Sequence, residues 1–213
     1  LMVSGDGGAT WQATSLDTIP YPLLVHPGNP EVIYGGGLQR WNQELSRSAA
    51  STLWRSRDNG QTWAPEVLVA SSQSGFRLSV TASGSRVHVV WMDYRSLSTW
   101  DLYYRRSMDN GATWQPEVKL VAGTNSMGAE RPAISCIGDS LHLAWMDARD
   151  AKPPYFLEGA YWIPYATEIY GKRSTDGGVT WGTDVRLTTH PTNYAGRPDL
   201  AASAPGTILM LYD

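Results

Sequence analysis

The sequence predicts an all-β protein built from repeated four-stranded antiparallel units. One basis for this prediction is composition, since the 213 residues include 21 Gly, 13 Pro, 10 Trp and 11 Tyr against 2 Phe. Such a composition favours short strands joined by tight turns over helices. The other basis is an octapeptide, Ser-x-Asp-x-Gly-x-Thr-Trp, that recurs four times, with no long amphipathic helical pattern between its copies.

The octapeptide has the chemistry of a hairpin turn. Its copies span residues 4–11, 56–63, 107–114 and 174–181. Their aspartates are at positions 6, 58, 109 and 176, and this spacing is typical of four-stranded propeller blades. Asp accepts hydrogen bonds from backbone N–H groups, Asn-Gly or Gly-Gly supplies positive φ angles, and Trp fills space between sheets. We therefore expect structural aspartates on peripheral turns and largely buried tryptophans beside them.

A second repeat lies between the octapeptides and places an Asp at a constant interval after an Arg. The pairs are Arg77 with Asp93, Arg131 with Asp147, and Arg197 with Asp213. Each interval contains a central turn signal, so each one predicts a hairpin of two apolar strands, the first and second of a blade. Segment 21–37 is a degenerate copy, with Tyr in place of Arg and Gly in place of Asp.

These repeats predict a single propeller domain over residues 1–213. It consists of a half blade (1–19), three whole blades (20–71, 72–125 and 126–191) and a second half blade (192–213). If the two halves pair with each other, a four-bladed ring closes and removes exposed sheet edges. If they do not, the chain is four blades' worth of a larger propeller. We favour the larger propeller, because four blades is the lower end of the known range.

The octapeptide resembles the Asp box, or BNR repeat, of the sialidase (neuraminidase) superfamily, and its copies extend over almost the whole chain. This resemblance implies a β-propeller, six-bladed in sialidases, and a glycoside hydrolase that acts on terminal sialic acid or a related acidic sugar. It also implies a secreted, cell-surface or periplasmic location. Because Asp boxes also occur in propellers that are not sialidases, the alternative is a non-catalytic module that binds glycans or proteins.

Three arginines are candidate substrate-binding residues by this resemblance. Sialidases bind the sialic acid carboxylate with three arginines, the first in an Arg-Ile-Pro motif, and Arg131-Pro132 and Arg197-Pro198 resemble that motif. With Arg77, these side chains would surround the central axis, where guanidinium groups suit a carboxylate because they donate two parallel hydrogen bonds. The alternative is structural, because a symmetric hairpin would place each Arg opposite its own Asp as a cross-strand ion pair.

The resemblance further implies a catalytic Asp acid/base and a Tyr nucleophile activated by Glu. Sialidases use Tyr because a carboxylate nucleophile would repel an anionic substrate. Asp93 and Asp147 are candidates for the acid, and Tyr165 with Glu158 or Glu168 for the nucleophile pair. For Glu168 the alternative is a solvated charge at the end of a strand.

The loop after Asp147 is a candidate substrate-binding wall. The box aspartate of this blade is at position 176, a much longer interval than the one from Asp93 to position 109, so residues 148–167 contain an insertion. The insertion is rich in aromatic side chains, which either stack on sugar rings or pack within the loop itself. The aromatic candidates for substrate binding are Tyr155, Tyr161, Trp162 and, from the shorter loop, Trp100.

The remaining features exclude several classes of function. A formal net charge of −3 without long charged runs argues against nucleic acid or an acidic membrane surface as a partner. The single cysteine, Cys136, excludes an internal disulfide and a Cys-based metal cluster, and no motif for a metal or cofactor is present. No apolar stretch approaches the roughly 20 residues of a membrane span. We therefore expect a carbohydrate partner and no cofactor, while the sequence does not indicate an oligomeric state.

The ends of the sequence bear on its origin. The N-terminus lacks a signal-peptide pattern and the chain stops inside an apolar run, so we expect a piece of a longer precursor.

Overall fold

The computed structural model describes residues 1–4, 6–16, 20–38, 51–65, 67–70, 75–124, 128–150, 155–157, 161–163, 167–189, 196–204 and 206–212. Within these ranges the chain consists of β-strands and turns, without a helix, which confirms the all-β prediction. The strands are β1 (Met2–Val3), β2 (Gln12–Ala13), β3 (Pro20–Val25), β4 (Ile33–Leu38), β5 (Ser51–Ser56), β6 (Val67–Leu68), β7 (Gly75–Ser83), β8 (Arg86–Asp93), β9 (Asp101–Ser107), β10 (Val118–Val121), β11 (Ala129–Ile137), β12 (Ser140–Asp147), β13 (Tyr155–Leu157), β14 (Tyr161–Ile163), β15 (Glu168–Ser174), β16 (Val185–Arg186), β17 (Asp199–Ala204) and β18 (Thr207–Leu211).

Twelve of these strands form three four-stranded antiparallel sheets. The sheet orders are β3-β4-β5-β6, β7-β8-β9-β10 and β11-β12-β15-β16, and the hairpin β13-β14 lies in the inserted loop. The hairpins β1-β2 and β17-β18 form separate two-stranded sheets, so the described part of the chain lacks the pairing that would close a four-bladed ring. The division into one domain with two half blades stays a prediction.

Each Asp box folds into the same hydrogen-bonded turn. In the box between β9 and β10, Ser107 Oγ accepts from the Gly111 N–H at 2.8 Å and donates to Asp109 Oδ1 at 2.7 Å. Asp109 then accepts from the backbone N–H and the hydroxyl of Thr113, at 2.8 and 2.6 Å. These bonds hold the Asp109 pKa well below its usual range, since they favour the ionised carboxylate. The box aspartates therefore have the structural role that the sequence predicted.

The box tryptophans are less buried than expected. Trp114 and Trp181 pack, partly buried, against the apolar clusters between neighbouring sheets, whose centres are the fully buried Trp91 and Trp145. Trp11 is 59% exposed, contrary to the prediction. The reason is local, because its hairpin β1-β2 forms an isolated two-stranded sheet rather than part of a packed blade.

The first strands of two blades are interrupted at their candidate arginines. In the pairing of β7 with β8 the register shifts between Phe76 and Ser79, and in that of β11 with β12 it shifts between Glu130 and Ala133. Arg77 and Arg131 lie inside these bulges. As a consequence Asp93 is opposite Gly75 and Asp147 is opposite Ala129, so the expected cross-strand pairing of Arg with Asp is wrong in these two hairpins. Asp213, the expected partner of Arg197, lies outside the described residues.

Candidate functional site

The three candidate arginines line one cavity. Its volume is about 520 Å³, and its walls come from the first strands of successive units. Arg77, Arg131 and Arg197, which share one position of the sequence repeat, all belong to the lining, while β3, from the degenerate copy without an arginine, contributes the apolar segment 22–24.

The three arginines lie at the end of the strands opposite the Asp boxes. Each arginine lies at the start of its inner hairpin, whereas the box turns contact the far tips of these hairpins. Thus the Asn110 N–H donates to the Ser85 carbonyl and the Gly177 N–H donates to the Asp139 carbonyl, at 2.7 and 3.0 Å. The arginines and the boxes are therefore at opposite ends of the same strands.

All three arginines have left-handed backbone conformations. Their φ angles are 49° for Arg77, 51° for Arg131 and 46° for Arg197. This conformation costs a non-glycine residue about 1–2 kcal/mol, and such strain in a β-bulge commonly re-aims a side chain at a functional site. The same strained conformation therefore recurs at all three equivalent positions.

Arg131 has an unsatisfied donor. Its Nε is buried without a hydrogen-bond partner among the described residues, and the same holds for the Nε atoms of Arg95 and Arg149. Arg77 and Arg197 are more exposed and have other interactions.

Asp93 and Asp147, the candidate acids, are held in matching ion pairs. Each is buried at the end of a second strand, with 0% and 3% of its surface exposed. Asp93 accepts from Trp91 Nε1 at 3.2 Å, from the Arg95 N–H at 2.9 Å and from Arg95 Nη2 at 2.7 Å. Asp147 accepts in the same way from Trp145 and Arg149, at 2.9, 2.8 and 2.7 Å.

The outer sides of these arginines are paired as well. Arg95 also pairs with Glu117 and stacks 3.8 Å above the Tyr103 ring, while Arg149 pairs with Asp184 at 2.8 Å. These bonds raise the pKa of both arginines despite their partial burial. The geometry favours a structural role for Asp93 and Asp147, and neither is among the described residues that line the cavity.

Glu168 is also paired rather than solvated. It is buried, with Oε1 2.6 Å from Arg186 Nη2 and Oε2 accepting from the Thr188 hydroxyl at 2.5 Å. The alternative of a solvated charge at a strand end is therefore wrong. This pairing also leaves Glu168 poorly suited to activate a nucleophile.

The remaining candidates come from the two loops that follow β8 and β12. Tyr165 and Glu158 lie outside the described residues. The backbones of Tyr155, Tyr161 and Trp162 form the hairpin β13-β14 in the inserted loop, whose side chains are not described. Trp100 is half-buried and packs against Phe76 and Tyr94, with ring centroids 5.5 and 4.8 Å apart, rather than lining the cavity.

Two features of the site have sequence signals of very different strength. The ion-pair motif is readable as Trp-Met-Asp-x-Arg, which occurs at 91–95 and 145–149. The half-buried carboxyl of Glu130, beside Arg131, belongs to no repeat and has no such signal. Among the described residues, no group of three or more His, Cys, Asp or Glu side chains is arranged to hold a metal ion.

Comparisons with known proteins agree with this architecture. A family model described as the BNR/Asp-box repeat matches residues 54–65. No curated protein matches the chain in sequence. Within the described residues no helix is long and apolar enough to cross a membrane.

Solved structures of glycosidases are similar to the chain in fold. An α-L-arabinanase of Penicillium chrysogenum, complexed with arabinobiose, superposes with a TM-score of 0.58 at 16% identity over 89% of this chain and 55% of that one. The Hadza microbial sialidase Hz136 gives 0.59 at 17% identity over 92% and 41%. The NanB sialidase of Streptococcus pneumoniae gives 0.55 at 14% identity over 99% and 32%. The chain thus spans about half the length of the arabinanase, and these likenesses establish the fold.

Proposed function

We propose that this Asp-box repeat protein, which has the β-propeller fold of sialidases and GH93 arabinanases, is a sialidase-like glycoside hydrolase acting on terminal sialic acid or a related acidic sugar. The observation that supports it most directly is the single cavity lined by Arg77, Arg131 and Arg197. Three guanidinium groups around about 520 Å³ suit an anionic sugar better than the neutral arabinose units of the GH93 structures.

The proposed roles follow from position. Arg77, Arg131 and Arg197 bind the sugar carboxylate, and the inserted loop contributes Tyr155, Tyr161 and Trp162 to the wall of the site. Tyr165 with Glu158 is the proposed nucleophile pair, because Glu168, the other candidate partner of Tyr165, is held in an ion pair with Arg186. The face with the cavity is the glycan-facing side, and a secreted or surface location fits that partner.

One observation favours a second function, a non-catalytic module that binds acidic glycans. Three of the carboxylates considered for catalysis, Asp93, Asp147 and Glu168, are buried in ion pairs. A propeller with an intact arginine cavity but without an available acid would bind the sugar and not cleave it. The two functions share the binding step and differ only in turnover.

Binding is tested by calorimetry with N-acetylneuraminic acid. Arg131→Ala should weaken binding about 10- to 100-fold, the range for loss of a hydrogen bond between charged groups. Arg131→Lys should recover only part of this loss, because it restores charge without the paired donors. Arg57→Ala is the matched control, since this exposed arginine lies in an Asp box on the opposite face. Equal affinity of wild type and Arg131→Ala would refute the binding site.

Turnover is tested with a fluorogenic sialoside. Cleavage that is lost in folded Arg131→Ala and kept in Arg57→Ala would support the hydrolase. Binding without cleavage by the wild-type protein would instead assign the module function.

A further inference from the structure

Glu130 is a half-buried carboxyl at the edge of the arginine cavity's lining: it is not itself a lining residue, but its neighbour in sequence, Arg131, is. It directly precedes Arg131, at the last regular pair before the register shift, opposite Met146 of β12. The equivalent residues before Arg77 and Arg197 are Phe76 and Gly196. The position before the arginine is therefore not repeated, and of these three residues only Glu130 carries a carboxyl.

The electrostatic surroundings of Glu130 are unusual for a surface acid. The side chain is half-buried, and this burial raises the pKa of its carboxyl, although the positive charges of Arg131 and Arg77 act in the opposite direction. Both of these arginines line the cavity. Glu130 thus lies within electrostatic range of two groups proposed to hold the ligand.

The other charges near this end of the strands are already paired or lie across the cavity. They are Asp93 on β8, Asp101 on β9, Asp147 on β12, and Arg197 and Asp199 at the start of β17. The first three have ion pairs with Arg95, Lys119 and Arg149. Glu130, by contrast, has no ion pair among the described residues, and the charges that act on it are those of Arg131 and Arg77.

We propose that Glu130 determines the pH range in which the cavity accepts an anionic sugar, because binding of the sugar carboxylate requires Glu130 to take up a proton. Ionised Glu130 competes with the ligand for the positive potential of Arg77 and Arg131. Protonated Glu130 leaves that potential to the ligand. This inference rests on the proposed function, since it concerns the same arginine cavity.

The direction of the effect follows from linkage. An anion bound near Glu130 disfavours its ionised form, so binding raises the pKa of Glu130 and draws one proton from the buffer. Affinity should therefore increase as pH falls through the titration of Glu130. A coupling of one pKa unit corresponds to about tenfold in affinity.

The experiment measures calorimetric affinities for N-acetylneuraminic acid between pH 5 and pH 7.5. Wild type should bind more weakly at pH 7.5 than at pH 5, by up to about tenfold for one pKa unit of coupling. Glu130→Gln, which is always neutral, should bind at pH 7.5 at least as tightly as wild type does at pH 5, with little pH dependence. Titrations in two buffers of different ionisation enthalpy should show proton uptake by the wild type, a measurement that needs no variant.

Two controls separate the outcomes. Glu31→Gln removes one exposed carboxylate from the opposite end of the strands and should behave as wild type. The methyl ester of N-acetylneuraminic acid, a neutral probe, should lose the pH dependence. Thermal unfolding at each pH establishes that every variant is folded.

The failures are distinguishable. If wild type binds and Arg131→Ala does not, but Glu130→Gln keeps the pH dependence or wild type takes up no proton, the role of Glu130 is refuted and the binding site stands. If Glu130→Gln binds more weakly at every pH, Glu130 is a structural support and the inference also fails. If wild type does not bind at any pH, the proposed function fails and this inference fails with it.

Discussion

Substitution of Gly178 by Ala should destabilise the protein more than the same change in other Asp boxes. Gly178 is the fifth residue of the box at 174–181 and has a φ of +78°. A Cβ at this position would lie 1.9 Å from the hydroxyl oxygen of Tyr104 and 2.9 Å from its Cζ. Tyr104 cannot withdraw easily, because it is buried, its hydroxyl lies 2.7 Å from His88 Nδ1, and its ring packs edge-on against Trp181.

The equivalent glycines provide matched controls. Gly60 and Gly111 have φ angles of +83° and +80°, but their nearest contacts to a new Cβ are 3.4 and 3.6 Å, which is ordinary packing. All three Ala variants incur the left-handed strain, about 1–2 kcal/mol. Gly178→Ala should add an overpacking cost of about 1–3 kcal/mol, so that its excess over the controls isolates the contact with Tyr104.

Urea unfolding followed by Trp fluorescence measures these differences. A second substitution, Tyr104→Phe, removes the hydroxyl at 1.9 Å, so the cost of Gly178→Ala should be smaller in that background than in wild type. If Gly178→Ala costs the same as Gly60→Ala and Gly111→Ala to within about 0.5 kcal/mol, the reasoning from this close contact is wrong.

Two further predictions concern buried charge. Burial lowers the pKa of His88 from 6.5 to about 4, so the folded state binds fewer protons than the unfolded state between these values. The free energy of unfolding should be constant above pH 6.5 and fall by about 3 kcal/mol as pH decreases to about 4, as a shift of this size requires. Urea unfolding across this range checks it, and His88→Gln should remove most of the slope, the rest coming from His142, whose pKa burial also lowers; an unchanged slope in His88→Gln would contradict it. Asp147→Ala should cost about 3 kcal/mol, since it leaves Arg149 without its buried partner. The same variant should keep its calorimetric affinity for sialic acid, and a folded variant that lost binding would return Asp147 to the ligand site.

The sequence predicted those parts of the fold that local chemistry specifies. The Asp boxes are readable because the Ser, Asp, Gly and Thr at fixed positions make all their hydrogen bonds within the octapeptide, as in the turn around Asp109. The inner hairpins are readable because a turn signal separates two apolar runs of similar length. The exposure of Trp11 was not readable, since it depends on whether another sheet covers the hairpin.

The predicted pairing of Arg77 with Asp93 was wrong because a small shift of register changes which residues face each other across the hairpin. A symmetric hairpin places Arg77 opposite Asp93, but the bulge after Phe76 places Gly75 there instead. Nothing in the composition of β7 marks this bulge, because the residue with positive φ is Arg rather than Gly. Asp93 instead forms an ion pair with Arg95, two residues later in the chain. This short-range motif could have been recognised in the sequence.

Repetition at equivalent positions is compatible with ligand binding in this fold. The three arginines that line the cavity and the aspartates that follow them at a constant interval are equally regular in sequence. Asp93 and Asp147 nevertheless lie in different surroundings from the arginines. First strands of successive units border one cavity, so equivalent residues at their starts line it together. Second strands lie about 4.8 Å further out, and Asp93 and Asp147 at their ends are each neutralised by an arginine two residues later. The position of a residue within the blade, rather than its regularity, therefore separates the ring of arginines proposed to bind the ligand from the aspartates that stabilise the scaffold.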